Sequence, residues 1–420
     1  MGAGINSHII YLLDNGALPS RICFLSTRSP FCYLVLQSIE EFNMKSKLCQ
    51  KLDIQFPLIA FSHCRDVVVE VSKAGGIGVL GAAGFSPEQL DIELSWIDQN
   101  IDGEPYGVDL IVPNTMANQD ESKTVSELQA MVPHAHRVFV EETLAKFGID
   151  SSNLYNSASS ANRGFLGEKS SENILDIAFS HPIKMIVNAL GVPPFRMLEL
   201  AKEKNVACGA LVGTTQHALK QAESGVDIII SSGTEAGGHC GEISTMVLVP
   251  EVVEALKDYN HVSVLAAGGI VTGRQMAAAM AMGADGVWTG SVWLTTEEAD
   301  TAPSIKRKLI TTRSNQTVRT RSRTGKFSRQ IKSPWTDAWE QVAAPEPLQM
   351  PLQSLVSEPA LGKISKLAEG GDAKAQSLNT YWVGQGVGLM NQTSSAKQVV
   401  YDFMNDFLDA SERLSSLTKS

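Results

Sequence analysis

The chain has 420 residues, 43% hydrophobic and 19% charged, with a formal net charge of −10, enough for one large α/β domain with additions or for two domains. The acidic balance argues against general nucleic-acid binding, and no run of about 18 uncharged apolar residues marks a membrane span. Six cysteines at positions 23, 32, 49, 64, 208 and 240 show neither a C-x-x-C pair nor zinc spacing, and read as reduced thiols of a cytoplasmic protein.

Residues 1–43 mix apolar patches with Ser and Pro and lack periodicity, whereas the stretch after Met44 reads as a clean domain start. The first 43 residues are therefore expected to be an upstream extension. From 56 on the rhythm is strand, loop, helix. FPLIAF (56–61) is the first strand, and 65–76 its helix, ended by glycine. IGVLGA (77–82) is the second strand. Ser86 caps the next helix with Pro87 at its first position. YGVDLIVP (106–113) is the third strand, after which a polar insertion, 114–170, interrupts the rhythm; 134–148 in it is helix-like, and 151–164 reads as a loop. Strands at 184–190 and 207–213 follow, with helices over 193–205 and 214–224. DIIIS (227–231), SVLAAGG (263–269) and GVWTGS (286–291) complete eight strand–helix alternations. Eight parallel strands close a (β/α)8 TIM-type barrel over 44–300, with a doubly wound open sheet as the runner-up. Residues 301–420 leave the rhythm and are expected to be a mostly helical lid or substrate region, ending in an amphipathic helix over 395–414.

Chemistry is expected at the strand ends. The loop after the sixth strand, SGTEAGGHCG, places four glycines in the nine residues from 233 to 241, around Glu235, His239 and Cys240. A histidine there is poorly placed for core packing and well placed to move one proton. Glu235 either orients it, caps a helix or faces water, water being the plainest expectation, and Cys240 reads as a small buried thiol. His63 and Cys64, after the first strand, belong to the same end of the barrel. Gly268, Gly269, Gly290 and Ser291 follow the last two strands and suit a phosphate cradle of backbone amides. No His, Asp and Glu group has metal spacing, so no metal is expected. Residues 301–336 carry ten Lys or Arg and no Asp or Glu. They read as a solvated face, or else as a grip on an anionic thioester or carrier protein. YWVGQGVGLM (381–390) reads as a tight turn on the barrel mouth or as a cover for a flat ring, with Tyr381 and Trp382 as stacking faces.

These motifs together, PLIAFSH with AGGIGVLGA, then SGTEAGGHCG, then VLAAGGIVTGRQMAAAMAMGADGVWTGS, then WVGQGVGL, resemble the nitronate monooxygenase (2-nitropropane dioxygenase) family, related to the FMN-dependent enoyl-ACP reductases. The resemblance implies a barrel that holds FMN without a metal, with His239 catalytic. It implies Gly268, Gly269, Trp288, Thr289, Gly290 and Ser291 at the phosphate, and Gly237 and Gly238 against the flavin. Phe61, Ser62 and His63, where the family often has Ala-Pro-Met, fall at the isoalloxazine, as do Asp109 in place of Asn and Ser232 in place of Gln. Asp109 beside a flavin disfavours an anionic reduced ring unless the acid is protonated or paired. The implied reaction is oxidation of an alkyl nitronate by O2 to a carbonyl compound and nitrite. The alternatives are NAD(P)H-dependent reduction of an enoyl thioester and flavin binding without catalysis. The expected partners are a small substrate, O2 and a second copy in a homodimer, with neither nucleic acid nor membrane.

Overall fold

The computed structural model describes residues 44, 46–112, 125–155 and 168–418. The expected extension over 1–43 and part of the polar insertion lie outside the described residues. Eight parallel strands close a barrel: β1 (Leu58–Ser62), β2 (Ile77–Gly81), β3 (Tyr106–Leu110), β4 (Met185–Asn188), β5 (Ala207–Val212), β6 (Ile228–Ser232), and then, after a two-residue strand β7 (Gly238–His239) outside the barrel, β8 (Ser263–Ala267) and β9 (Gly286–Thr289). β9 returns to β1 with Ile59 opposite Trp288, which leaves no open edge. The open-sheet alternative is thereby set aside.

Alternation along each strand divides its side chains between two cores. Ile59, Val79, Met185, Val187, Ile230, Leu265, Ala267 and Trp288 pack together in the barrel interior. Their neighbours Leu80, Val108, Leu110 and Ile186 face the helices instead. Helix starts follow the local chemistry. Ser86 Oγ accepts from Gln89 N at 3.2 Å with Pro87 in the first turn, and Thr214 Oγ1 accepts from His217 N. Such caps each stabilise by about 1 kcal/mol.

One expectation needs correction. The insertion is shorter than 114–170, because Glu168–Ser180 is a barrel helix whose Ile174, Leu175, Ala178 and Phe179 pack with Leu90, Leu94 and Ile97. The inserted helices Val125–Met131 and His134–Lys146 lie elsewhere. Their Leu128, Val140 and Leu144 share a core with Trp335, Trp339, Val356, Ala360 and Ile364 of the C-terminal segment. Segments far apart in sequence thus form one subdomain. The C-terminal segment is mostly helical, as expected. It also contains β10 (Thr317–Thr320) and β11 (Ser328–Ile331), which pair antiparallel, and β11 pairs in turn with β7.

The last helix, Ala396–Thr418, closes against Gly273–Ala281, the helix after β8. Phe403 and Met404 reach the core beside Met276, and Asp406 accepts from Arg274 N at 2.7 Å and from its guanidinium. A Cβ on Gly273 would sit 1.8 Å from the Phe403 carbonyl oxygen, so the helices touch backbone to backbone. Gly273→Ala should therefore force them apart and cost about 1–3 kcal/mol. Urea unfolding read by far-UV circular dichroism checks this; an unchanged midpoint would contradict the contact.

Candidate active site

The barrel mouth is assembled from the loops after β6, β8 and β9 and from the C-terminal segment above them. The β6 loop turns back as β7, which pairs with β11 so that His239 lies opposite Ser328 and Gly238 opposite Arg329. Gly238 has φ +73°, a conformation that a side chain would strain. Arg329, buried, donates from Nε to the Thr234 carbonyl at 2.7 Å and fixes the loop from above.

Glu235 does not face water. Its Oε2 accepts from Thr245 N and Thr245 Oγ1, both at 2.9 Å, which caps the helix Thr245–Ala255 and pins the loop to it. Glu235 therefore shapes the loop and leaves His239 alone. The partner of His239 is a residue that no sequence motif marks. Thr324 Oγ1 lies 2.8 Å from His239 Nε2 and is buried. It sits between Arg323 and Lys326 in the segment that precedes β11, and only the strand pairing reveals that it reaches the histidine. The Trp382 ring is 5.9 Å from the imidazole, and the Arg323 guanidinium lies 4.2 Å over the same indole while binding Glu358 with two nitrogens. His239 is solvent-exposed by surface area, although many protein atoms surround the ring. Crowding first, and then the charges of Lys326 and Arg323, push its pKa down to about 4. Because water reaches the ring, the direction is what matters: the imidazole is neutral at neutral pH.

The phosphate-type loops are built from backbone. Gly268 and Gly269 have φ +107° and +72°, and a Cβ on Gly268 would meet Thr245 Oγ1 at 2.7 Å. The C-terminal motif is the tight turn on the mouth. Gly384 N donates to Ser291 Oγ at 2.9 Å, and Gln385 N donates to the Glu235 carbonyl at 2.8 Å. A Cβ on Gly237 would sit 2.7 Å from Gly384 N, and one on Gly386 would sit 2.6 Å from the Gly269 carbonyl. Among the described residues, the amides of Gly269, Gly290 and Ser291 donate to no protein group. A Cβ on Gly290 would meet only Phe61, at 3.8 Å.

Phe61 stacks on Trp288 with ring centroids 5.8 Å apart, and His63 lies edge-on to Phe61 at 5.1 Å. Asp109, between the helix-facing Val108 and Leu110, and Ser232, two residues after the interior Ile230, lie on the inward register near the ends of their strands. Asp109 is buried, its Oδ1 has no partner, and burial raises its pKa well above the usual carboxylate value.

Several expected contacts are spent elsewhere. Thr289 Oγ1 donates to the Ile59 carbonyl at 3.0 Å and accepts from Trp293 Nε1, so its side chain locks the strand and leaves the site. Trp288 fills the barrel interior instead of flanking the amides. Ser62 Oγ takes the Cys64 amide, and His63 Nδ1 lies 2.7 Å from the Gly81 carbonyl. Cys240 is only half-buried, with burial raising its thiol pKa against the lowering effect of Arg329 and Arg319. The basic run is a solvated face only in part, with Arg307, Arg313, Lys326 and Lys332 exposed and others spent within the chain. Arg319, Arg321 and Arg323 pair with Glu242, Glu346 and Glu358, and Lys308 donates to the carbonyls of Gln376, Ser377 and Asn379. No cluster of metal ligands occurs among the described residues, and no helix there is long and apolar enough to cross a membrane.

Comparison with known proteins agrees with this geometry. The nitronate monooxygenase family model matches residues 45–406. A Mycobacterium tuberculosis protein named as a candidate monooxygenase is 47% identical over 378 residues, 90% of this chain and 100% of that one. A Staphylococcus aureus protein named as a probable nitronate monooxygenase is 26% identical over 380 residues, 86% of this chain and 97% of that one. Nitroalkane oxidase from Streptomyces ansochromogenes superposes with a TM-score of 0.70 at 22% identity, covering 87% of this chain and 99% of that one. FabK from Thermotoga maritima does so with 0.66 at 23%, covering 89% and 100%. At such identities the structural likeness speaks for the barrel. The family match takes in both the barrel and the C-terminal segment that roofs it, and the chain belongs to the nitronate monooxygenase family of oxidoreductases.

Proposed function

We propose that the chain is an FMN-dependent nitronate monooxygenase that converts alkyl nitronates and O2 to a carbonyl compound and nitrite. The observation that carries the reading is a barrel mouth with amides left over on two neighbouring strand ends, beside a neutral buried acid and a neutral imidazole. The residues fit FMN. Gly268, Gly269, Gly290 and Ser291 would hold its phosphate by backbone, with room above Gly290 where a side chain would otherwise stand. Phe61, Asp109, Ser232, Gly237 and Gly238 would lie at its ring. Asp109 suits that place because burial keeps it protonated, so it brings a hydrogen-bond donor in place of a repelling charge. Bound FMN would supply the redox chemistry, taking electrons from the nitronate and passing them to oxygen.

The protein's own part is binding and proton placement. With Nε2 committed to Thr324, His239 offers Nδ1 to the substrate, as base or hydrogen-bond partner. Lys326 and Arg323 add positive potential, which draws an anionic nitronate. The competing enoyl-thioester reading drew its support from the basic run as a landing surface, and much of that charge is paired inside the chain.

The deciding experiment is uptake of FMN followed by nitrite release from propyl-2-nitronate. A protein that stays colourless when offered FMN would sink the reading. Rapid flavin bleaching by NADH with reoxidation by crotonyl-CoA would replace it with the reductase.

His239→Asn should keep flavin bound and lower kcat/KM by about 10²–10⁴-fold. The wild-type rate should fall only at acid pH, with a midpoint below the ordinary imidazole value, because the active form is the unprotonated ring. Thr324→Val should move that midpoint and lower kcat, while Thr324→Ser restores both. A pH profile identical in wild type and Thr324→Val would remove Thr324 from the site.

Asp109 allows a test on the flavin-free protein. An acid whose folded pKa is raised favours folding most at low pH, and that contribution is lost as pH rises through the folded pKa. Asp109→Asn, which cannot ionise, should gain stability over wild type as the pH is taken from about 5 to about 8. Urea midpoints at both values check this, and a difference that shrinks with rising pH would contradict the burial.

A further inference from the structure

A cavity of about 430 Å³ lies in the C-terminal segment, beyond the end of β11 that leads away from His239. Its lining includes Arg307, Lys308, Lys332, Ser333 and Asn379, and no acidic residue. Arg307 and Lys332 stand exposed at its rim, and among the described residues Arg307 has no ion-pair partner. Lys332 has only a loose one, with Asp337 Oδ1 at 3.6 Å, and that carboxylate is itself exposed. Lys308 forms part of the wall. Its ammonium protons go to the carbonyls of Gln376, Ser377 and Asn379, so it contributes charge to the cavity more than donors. Glu369, which lies outside the lining, is occupied by Ser304 N and Oγ.

The floor is the second observation. Asn379 is 3% and Ser333 4% exposed. Both line the cavity; Asn379 Nδ2 has no hydrogen-bond partner, and the Ser333 hydroxyl, which takes the Thr336 amide in a capping box, keeps its own proton to donate. A buried donor left without an acceptor is unfavourable. That cost is removed when an acceptor enters from the cavity side. Three cations around two buried donors describe a receptor for a compact polyanion, and the volume is that of a small-molecule pocket rather than of a single bound water.

We propose that this cavity is a second ligand site, which binds a phosphate-bearing polyanion of diphosphate size. The proposal does not depend on the nitronate reading, since no group of the barrel mouth takes part. Phosphate oxygens match the guanidinium of Arg307 and accept from Asn379 and Ser333, whereas Lys332 and Lys308 balance the charge.

Titration calorimetry of the full chain with pyrophosphate at low salt tests it. The strand-end amides are the obvious competitor for a phosphate, so the titration is run in parallel on Gly290→Val, which fills that cradle, and on the pair Arg307→Ala with Lys332→Ala, which strips this one. Saturable one-to-one binding retained in Gly290→Val and weakened at least tenfold in the double variant is the expected result. Asn379→Leu alone should weaken binding as well, and thermal unfolding of each variant without ligand reports that it is folded. Absence of saturable binding in wild type, or binding lost in Gly290→Val and kept in the double variant, would overturn the assignment. Citrate binding as tightly as pyrophosphate would overturn its phosphate class.

Discussion

The placement of His239 rests on a backbone pairing between two parts of the chain nearly ninety residues apart. Two residues of the β6 loop, Gly238 and His239, pair with Ser328 and Arg329. A two-residue strand has no stability of its own and exists because β11 is already held by β10 on its other side. From the same anchoring come the Thr324 contact, the Arg329 bond to the loop and the nearness of Trp382. Without the C-terminal segment, the loop would keep the Glu235–Thr245 tie at its base and lose everything that aims the imidazole. Barrel and roof are therefore one functional unit, although they are separate stretches of sequence.

The mouth is packed by absence of side chains. Gly237 on Gly384, Gly386 on Gly269 and Gly268 on Thr245 are contacts in which an added Cβ would approach within 3 Å of another group. Gly290 is different, because the space over it is open. The first set lets strands and turn interlock; the second leaves a space beside uncommitted amides. This difference separates glycines in tight contact from one with open space over it, and no reading of spacing alone could make it. The buried Asp109 belongs to the same balance. An ionised carboxylate is costly in the barrel interior, and burial raises the Asp109 pKa well above the usual carboxylate value.

Much of the barrel was legible because its signals are local. Apolar runs ending in glycine, Ser86 followed by Pro87, and eight repeats of the unit are all properties of neighbours in sequence. His239 and the glycines of the last two strand ends stood out for the same reason. What the sequence hid is set by distant partners. Glu235 read as a solvated loop acid, yet it meets Thr245 ten residues on, once the loop has closed. Thr289 sits inside a motif but turns its hydroxyl to Ile59 across the barrel seam. Thr324 lies in a stretch whose only visible trait was positive charge. β10 and β11 were read as part of a helical region because each is four residues long, too short to show a period of two against the surrounding Arg and Ser.

The basic run shows why charge composition says little until pairing is known. Arg319, Arg321 and Arg323 alternate along one strand and the turn after it, and each meets a glutamate from a different part of the chain: the β6 loop, the turn after the helix Pro334–Trp339, and the helix Leu352–Glu369. These partly exposed pairs each contribute little energy on their own. What they do is select an arrangement, because a guanidinium binds a carboxylate in a fixed plane and Arg323 must also lie flat on Trp382. The roof is thus keyed within itself by two of these pairs and to the barrel's β6 loop by Arg319 with Glu242. Arg307 and Lys332 stand outside this set, exposed past the end of β11, with Lys332 held only loosely by Asp337.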